Sequence, residues 1–345
     1  MAADSPTHAA GEPVERGATA GSGGCAPDAA PFQAAARLWS LGQVEVLDDC
    51  AIAGSPERCV QRAVVRDADG NRWLIESLSP AALSRKAETA ETLQRLADAG
   101  LAAVHPYLPT RRGDRHPYYS GLYWQMMPYL AGVALPRPGW VEHAWRGEAL
   151  ACFLLDLRRV SQRVGLHSGD VFSLPDYADA LLARLVAHRP DLLPRVEPIQ
   201  AALADRLWPR YDGLQVAFCH GDYHPLNVIW ADEGIRAVID WEFCGNKPAL
   251  YDLANLIGCV GIEQPEALTG PLVMALLGSL RASDWGRDDD WDALPELVLA
   301  LRFAWLSEWL RKDDYAMIDL ELDYMALLRL RRDELAERWG VDPTI

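Results

Sequence analysis

The period of the hydrophobic positions changes along this chain. From about Gln43 to Ser79 the pattern is strand-like: Val44, Val46 and Leu47, then QRAVVRD, the turn ADGN and RWLIESL. Asp69-Gly70 between two β-rich runs predicts a hairpin. SPAALSRKAETAETLQRLADAG then predicts a helix, with Ser79 as cap, Pro80 in the first turn and Gly100 at the end. GLYWQMMPYLAG reads as one more strand, stopping at Pro128 and Gly132. Beyond Pro138 the period becomes helical. Leu150, Phe153, Leu154, Leu157 and Val160 recur on one face, and DYADALLARLVAH, PIQAALADRLW, PELVLALRFAWLSEWLRK and LDYMALLRLRRDELAERW look alike. Two short strand-like runs, LNVIW and IRAVID, interrupt these helices. The expectation is an α+β chain. A tail covers residues 1–30, a small β-rich lobe 31–130, and a large, mainly helical lobe 131–345.

The two interrupting runs carry the chemistry. FCHGDYHPLNVIW places Asp222 and Asn227 five residues apart on one loop, and IRAVIDWEFCG ends a strand on Asp240. Phosphoryl transfer needs an acceptor hydroxyl held in line, a base to take its proton, and cations against the phosphates. One carboxylate and one amide on a short loop, with a second carboxylate on a neighbouring strand, supply a base and hard oxygen donors. The kinase catalytic loop spaces its base and its metal-binding Asn in the same way. Asp222 is read as the base, with Asn227 and Asp240 on Mg²⁺. Taken alone, Asp-x-x-x-x-Asn is an ordinary turn pattern; His220, Gly221, His224, Pro225 and the downstream Ile-Asp-Trp-Glu give it specificity.

HGDYHPLNV followed by VIDWE resembles the aminoglycoside phosphotransferase and choline kinase superfamily, small-molecule kinases that include homoserine and methylthioribose kinases. The likeness is sharp from about Cys219 to Ala254. It implies a protein-kinase-like two-lobe fold, ATP and Mg²⁺ as cofactors, and a small-molecule hydroxyl acceptor: an amino alcohol, a sugar or an aminoglycoside-like compound. It places the catalytic Asp on Asp222 and the metal residues on Asn227 and Asp240. It makes Met127 to Leu130, with Met127 and Tyr129, the hinge touching adenine. Asp252, in PALYDLANL, becomes a buttress of the catalytic loop. His220 and His224 read as structural hydrogen-bonding groups rather than zinc ligands. Glu242 reads as a third metal ligand or a substrate-facing carboxylate. The small lobe departs from the pattern, because the register of RWLIES puts Glu76 where a kinase carries its strand lysine. Arg66, Arg85 and Lys86 are the candidate replacements for that charge, and Glu88 or Glu91 for the partner glutamate. This departure sustains a rival reading, a nucleotide-binding pseudokinase with a regulatory role.

Composition narrows the partners. The formal net charge of −16 argues against nucleic acid, and no run of about 18 uncharged apolar residues predicts a membrane span. Seven scattered cysteines without a CxxC pair predict neither a disulfide framework nor a zinc site, and fit a cytoplasmic location. The N-terminal stretch has no apolar core of a secretory signal. Among thirteen tryptophans, Trp305 and Trp309 lie four apart on one helix face and read as core. The run Asp288 to Asp290 reads as a solvated loop or helix cap.

Overall fold

The computed structural model describes residues 29–166, 169–283 and 285–342. The expected tail lies outside them as far as residue 28. Its last two positions belong to helix α1 (Ala29–Ala36), which buries Phe32, Ala35 and Ala36. The small lobe is an antiparallel sheet of β1 (Glu45–Leu47), β2 (Gln61–Arg66), β3 (Arg72–Leu78), β4 (Tyr118–Tyr119) and β5 (Leu122–Pro128), in the order β1-β2-β3-β5-β4. Helix α2 (Leu83–Asp98) follows β3. The Asp69-Gly70 turn closes the β2–β3 hairpin, with Gly70 at φ 86°. Ser79 leads the chain into α2 in extended conformation without donating a side-chain cap, and Gly100 ends that helix at φ 90°.

Pleating gives the sheet two chemically different faces. Ala63, Val65, Ile75, Trp124 and Met126 pack with Phe32 and Trp39 of the N-terminal helical segment into one small core. The intervening positions Arg62, Leu74, Glu76 and Met127 turn to the opposite side, where they line a cleft between the lobes. Glu76 is paired with Arg62 on one side and Gln125 on the other.

The large lobe is built on α3 (Ala144–Arg163), α4 (Leu174–His188), α5 (Leu193–Arg206), α6 (Tyr251–Glu263), α7 (Pro271–Arg281), α8 (Asp288–Asp292), α9 (Leu294–Arg311), α10 (Tyr315–Leu330) and α11 (Arg332–Arg338). Two hairpin-like pairs lie on this bundle at the cleft. They are β6 (Val216–Cys219) with β9 (Gly245–Pro248), and β7 (Val228–Trp230) with β8 (Ile235–Val238). The acidic run is not simply solvated. Asp290 is buried, completes a capping box with Arg287 and accepts the Gln215 amide at 2.8 Å. No described helix is long and apolar enough to cross a membrane.

Within the bundle, Arg302 of α9 and Glu321 of α10 form a bidentate pair at 2.6 and 2.7 Å, and both residues are buried. The Trp309 indole donates to the same carboxylate at 3.2 Å. Breaking a buried pair leaves a charge without compensation, whereas replacing both partners by apolar groups is close to neutral. Glu321→Ala should therefore lose about 3–5 kcal/mol in chemical denaturation. The double variant Arg302→Met with Glu321→Leu should recover most of that loss.

Candidate functional site

The site is assembled on the two strand pairs. β6 leads into the loop His220–Asn227, and β8 leads into Asp240. The loop is held from behind by Asp252 at the start of α6, whose buried carboxylate accepts the His220 amide at 2.7 Å and the Gly221 amide at 2.8 Å. Burial pushes the Asp252 carboxyl up to about 6, against the pull of those two N–H groups. Gly221 adopts φ 86°, and a Cβ there would stand 2.1 Å from the Phe243 carbonyl oxygen, so glycine is required twice over.

His220 is fully buried, and burial drives its imidazole down to about 3, so it is neutral. Its Nδ1 accepts the Asp222 amide at 3.2 Å, and its Nε2 lies 2.9 Å from the Ile239 carbonyl, which fixes the Nε2–H tautomer. It thus ties the loop to the segment carrying Asp240. His224 is likewise held neutral by burial, at about 4, and stacks edge-on against Trp305.

Within the loop the Asp222 carboxylate meets the Asn227 amide and, at 3.5 Å, the Nε2 of His224. The Asn227 amide nitrogen donates to the Asp222 carbonyl at 2.9 Å and to its carboxylate at 3.2 Å. Burial raises the Asp222 carboxyl to about 6. Asp240 adopts a left-handed conformation, φ 63°, which aspartate tolerates better than most residues. Burial raises its carboxyl as well.

Two cavities meet here. The first is the inter-lobe cleft, lined by Leu74, Glu76, Lys86, Met127, Tyr129 and Asp240. The second lies in the large lobe and is lined by Asp222, Asn227, Tyr177, Lys247, Trp305 and Trp309. Ser55, Arg58 and Asp240 border both, while Asp222 faces only the second. The loop 50–59 closes over the junction. Its Ser55 amide donates to Asp240 Oδ2 at 3.0 Å, and Arg58 reaches Glu242 at 3.1 Å and Asp222 at 3.9 Å.

The structure also sorts the remaining candidates. Glu76 faces the cleft, bonded to Gln125 at 2.6 Å, and burial raises its carboxyl. Lys86 of α2 is buried, lines the same cleft and pairs with Glu242. Arg85 donates to the Glu242 carbonyl at 2.7 Å. Arg66 lies elsewhere, in an exposed pair with Glu45, because it ends β2 at the far margin of the sheet. Glu88 and Glu91 are exposed on α2 and turn away from Lys86. Glu242 is spoken for by Lys86 and Arg58 rather than open toward a cation or a substrate. Trp305 and Trp309 are half-buried walls of the second cavity rather than fully buried core; Trp309 also packs against the main core, which α9 enters through Leu299, Phe303 and Leu306. Arg58 and Lys247 were not singled out in the sequence. Arg58 follows a proline in a loop, and Lys247 sits in a four-residue strand recognisable only by its pairing with β6.

A family model for the phosphotransferase enzyme family matches residues 60–297. The chain belongs to that family. Curated relatives of this phosphotransferase include homoserine kinases. One from Rhizobium rhizogenes is 26% identical, over 70% of this chain and 75% of the relative. One from Rhodopseudomonas palustris is 29% identical, over 72% and 77%. Among solved structures, a microcompartment-associated aminopropanol kinase superposes with a TM-score of 0.63 at 16% identity, over 90% of this chain and all of that one. An amicoumacin kinase in complex with AMP-PNP, Ca²⁺ and Ami gives 0.61 at 15% identity, over 87% and 93%. These likenesses establish the α+β two-lobe kinase fold.

Gly221→Ala should cost at least about 2 kcal/mol, from the left-handed backbone and the contact with Phe243 together. Thermal denaturation and a phosphoryl-transfer assay on the same sample would check this. A variant with parent stability and parent turnover would show that the loop does not need this conformation.

Proposed function

We propose that this small-molecule kinase uses ATP with Mg²⁺ and transfers the γ-phosphoryl group to a hydroxyl of an acceptor held in the large-lobe cavity. The observation that carries the reading is the junction of the two cavities at Asp240, with Asp222 turned only to the large-lobe side. A nucleotide in the cleft, its adenine against Met127 and Tyr129, then presents its phosphates at Asp240. Asp222 orients the acceptor hydroxyl and takes its proton. Asn227 and Asp240 supply the oxygen donors for Mg²⁺, since the Asn227 amide nitrogen is used by Asp222 and its oxygen remains. No group of three His, Cys, Asp or Glu side chains able to hold a metal occurs among the described residues. Two donors fit this role, because magnesium in such sites takes one or two protein groups and completes its shell with phosphates and water. The cation's contribution is charge neutralisation on the phosphates.

The relatives support this reading. The homoserine kinases are alcohol kinases by name, and a neighbour of the same fold is described with a nucleotide analogue and a divalent ion. The described cysteines are free thiols, in keeping with a cytoplasmic setting. The pseudokinase alternative rests on Glu76 at the strand position, and Lys86 answers it. The acid stands on the strand and the lysine on the helix here, so the cleft still holds a buried cation, paired with Glu242.

Two outcomes test the reading. Asp222→Asn should retain binding of AMP-PNP while turnover falls by about 10²–10⁴-fold, the usual contribution of a general base. Turnover within a few-fold of the parent would remove Asp222 from that role. Lys86→Met should weaken ATP binding at least several-fold, and Glu76→Lys with Lys86→Glu, which restores the usual order, should recover affinity relative to either single change. Isothermal calorimetry with ATP and Mg²⁺ measures both. Non-additivity of that kind is the signature of two charges coupled across one cleft.

A further inference from the structure

Lys247 is 6% exposed, yet it takes part in none of the ion pairs among the described residues. Its side chain runs behind Gly221, and its ammonium donates to the Phe243 carbonyl at 2.7 Å. The rings of Phe172 and Tyr251 stand 5.5 and 5.4 Å from the nitrogen. An ammonium carries three N–H donors, so two remain unused in this surround. Burying a cation outside any ion pair is costly, and the two aromatic faces and the through-space attraction of the Asp252 carboxylate, itself bonded to two backbone amides, offset only part of that cost. Burial accordingly depresses the Lys247 pKa.

The direction in which this charge is spent follows from the cavities. Lys247 lines the large-lobe cavity with Asp222 and does not line the nucleotide cleft. Of the other cations on that wall, Arg184 is exposed and bonds the Ser307 hydroxyl at 3.0 Å, Arg85 donates to the Glu242 carbonyl, and the rest are ion-paired. Arg58 is bound by Glu242 and Asp222, and Arg311 and Lys312 are bound by Glu57 and Glu308. The same pairs occupy Glu57 and Glu308, so the cavity offers an acceptor's ammonium group no vacant carboxylate beyond Asp222 and Asp240.

We propose that Lys247 anchors an anionic group of the acceptor, so that the preferred acceptor is a hydroxy acid, carboxylate or phosphate, rather than an amino alcohol or a neutral alcohol. This rests on reading the large-lobe cavity as the acceptor site. The acceptor lies with its anionic end on Lys247 and its hydroxyl on Asp222. Charged hydrogen bonds of this kind give discrimination of about tenfold or more against an analogue lacking the anion.

The test compares matched four-carbon acceptors: 4-hydroxybutyrate, 1,4-butanediol and 4-amino-1-butanol, with 4-hydroxybutyl phosphate as the phosphate arm. ADP formation is measured with the parent and with Lys247→Met, and Lys247→Gln serves if the first variant melts lower than the parent. The parent should favour one or both anionic acceptors by about tenfold or more in kcat/KM. The variant should lose that preference through KM, with KM for ATP unchanged. A parent preference for the amino alcohol, or a variant that keeps the anionic preference, overturns the proposal. So does a variant in which kcat falls equally for every acceptor, since that assigns Lys247 to the transferred phosphoryl group. Calorimetry of the anionic acceptors with AMP-PNP present separates the two readings. Binding abolished in Lys247→Met without phosphoryl transfer by the parent upholds the anion site and removes the kinase reading.

Discussion

One carboxylate holds the catalytic loop in place. Asp252 accepts two consecutive backbone amides, those of His220 and Gly221, from a helix that the large-lobe core fixes rigidly. A carboxylate has the acceptor capacity for both, and each is a charge-assisted bond. With His220 and Gly221 pinned, Gly221 reaches its left-handed turn, the His220 ring bridges to Ile239, and Asp222 is the first residue of the loop free to face a ligand. Remove the anchor and the distances from Asp222 to Asn227 and to the Asp240 segment lose their common reference. The surrounding packing serves this bond by keeping α6 still and water away from the carboxylate.

How much of this the sequence discloses depends on how local each signal is. The loop residues share a stretch of some ten positions, so their spacing is itself geometry, and Asp252 falls one helical start further on. Glu76 was legible for a similar reason: two-residue alternation in β3 decides its face once Ile75 is taken as core. Lys86 was visible only as one of several nearby cations, because the phase of α2 against the sheet is set by Leu93 and Leu96, not by any local rule. Trp305 and Trp309 mislead in the opposite way. A helical stripe of large apolar residues looks like core, but α9 is apolar on several sides and buries a different one more fully. Lys247 leaves no trace at all, since its meaning comes from Gly221, Phe172 and Tyr251, each from a different part of the chain.

Net charge is silent on the cavities. A chain at −16 argues against nucleic acid as a partner, and the walls of both cavities nonetheless carry buried or half-buried lysine and arginine. Acidic residues line the same walls, Glu76, Asp240 and Glu242 in the cleft and Asp222, Asp240, Glu57 and Glu308 in the large-lobe cavity, so net charge does not say which sign prevails inside. Overall charge governs solubility and approach of partners over distances of about a Debye length. What a cavity holds is decided by the few groups that burial prevents from being screened.

The Ser55 amide on Asp240 has a further meaning for how this enzyme meets its nucleotide. In the resting molecule the lid completes the hydrogen bonding of the carboxylate that a metal-bound nucleotide would claim, and the Glu57 contacts with Arg311 and Lys312 hold that lid to the far lobe. On the proposed nucleotide site, ligand and loop 50–59 would compete for one group, and the apparent affinity would be the intrinsic affinity reduced by the fraction of molecules in which the loop is displaced. Because the outer contacts are exposed ion pairs, salt weakens them and enlarges that fraction. Ionic strength would then alter occupancy through ion pairs on the wall of the large-lobe cavity.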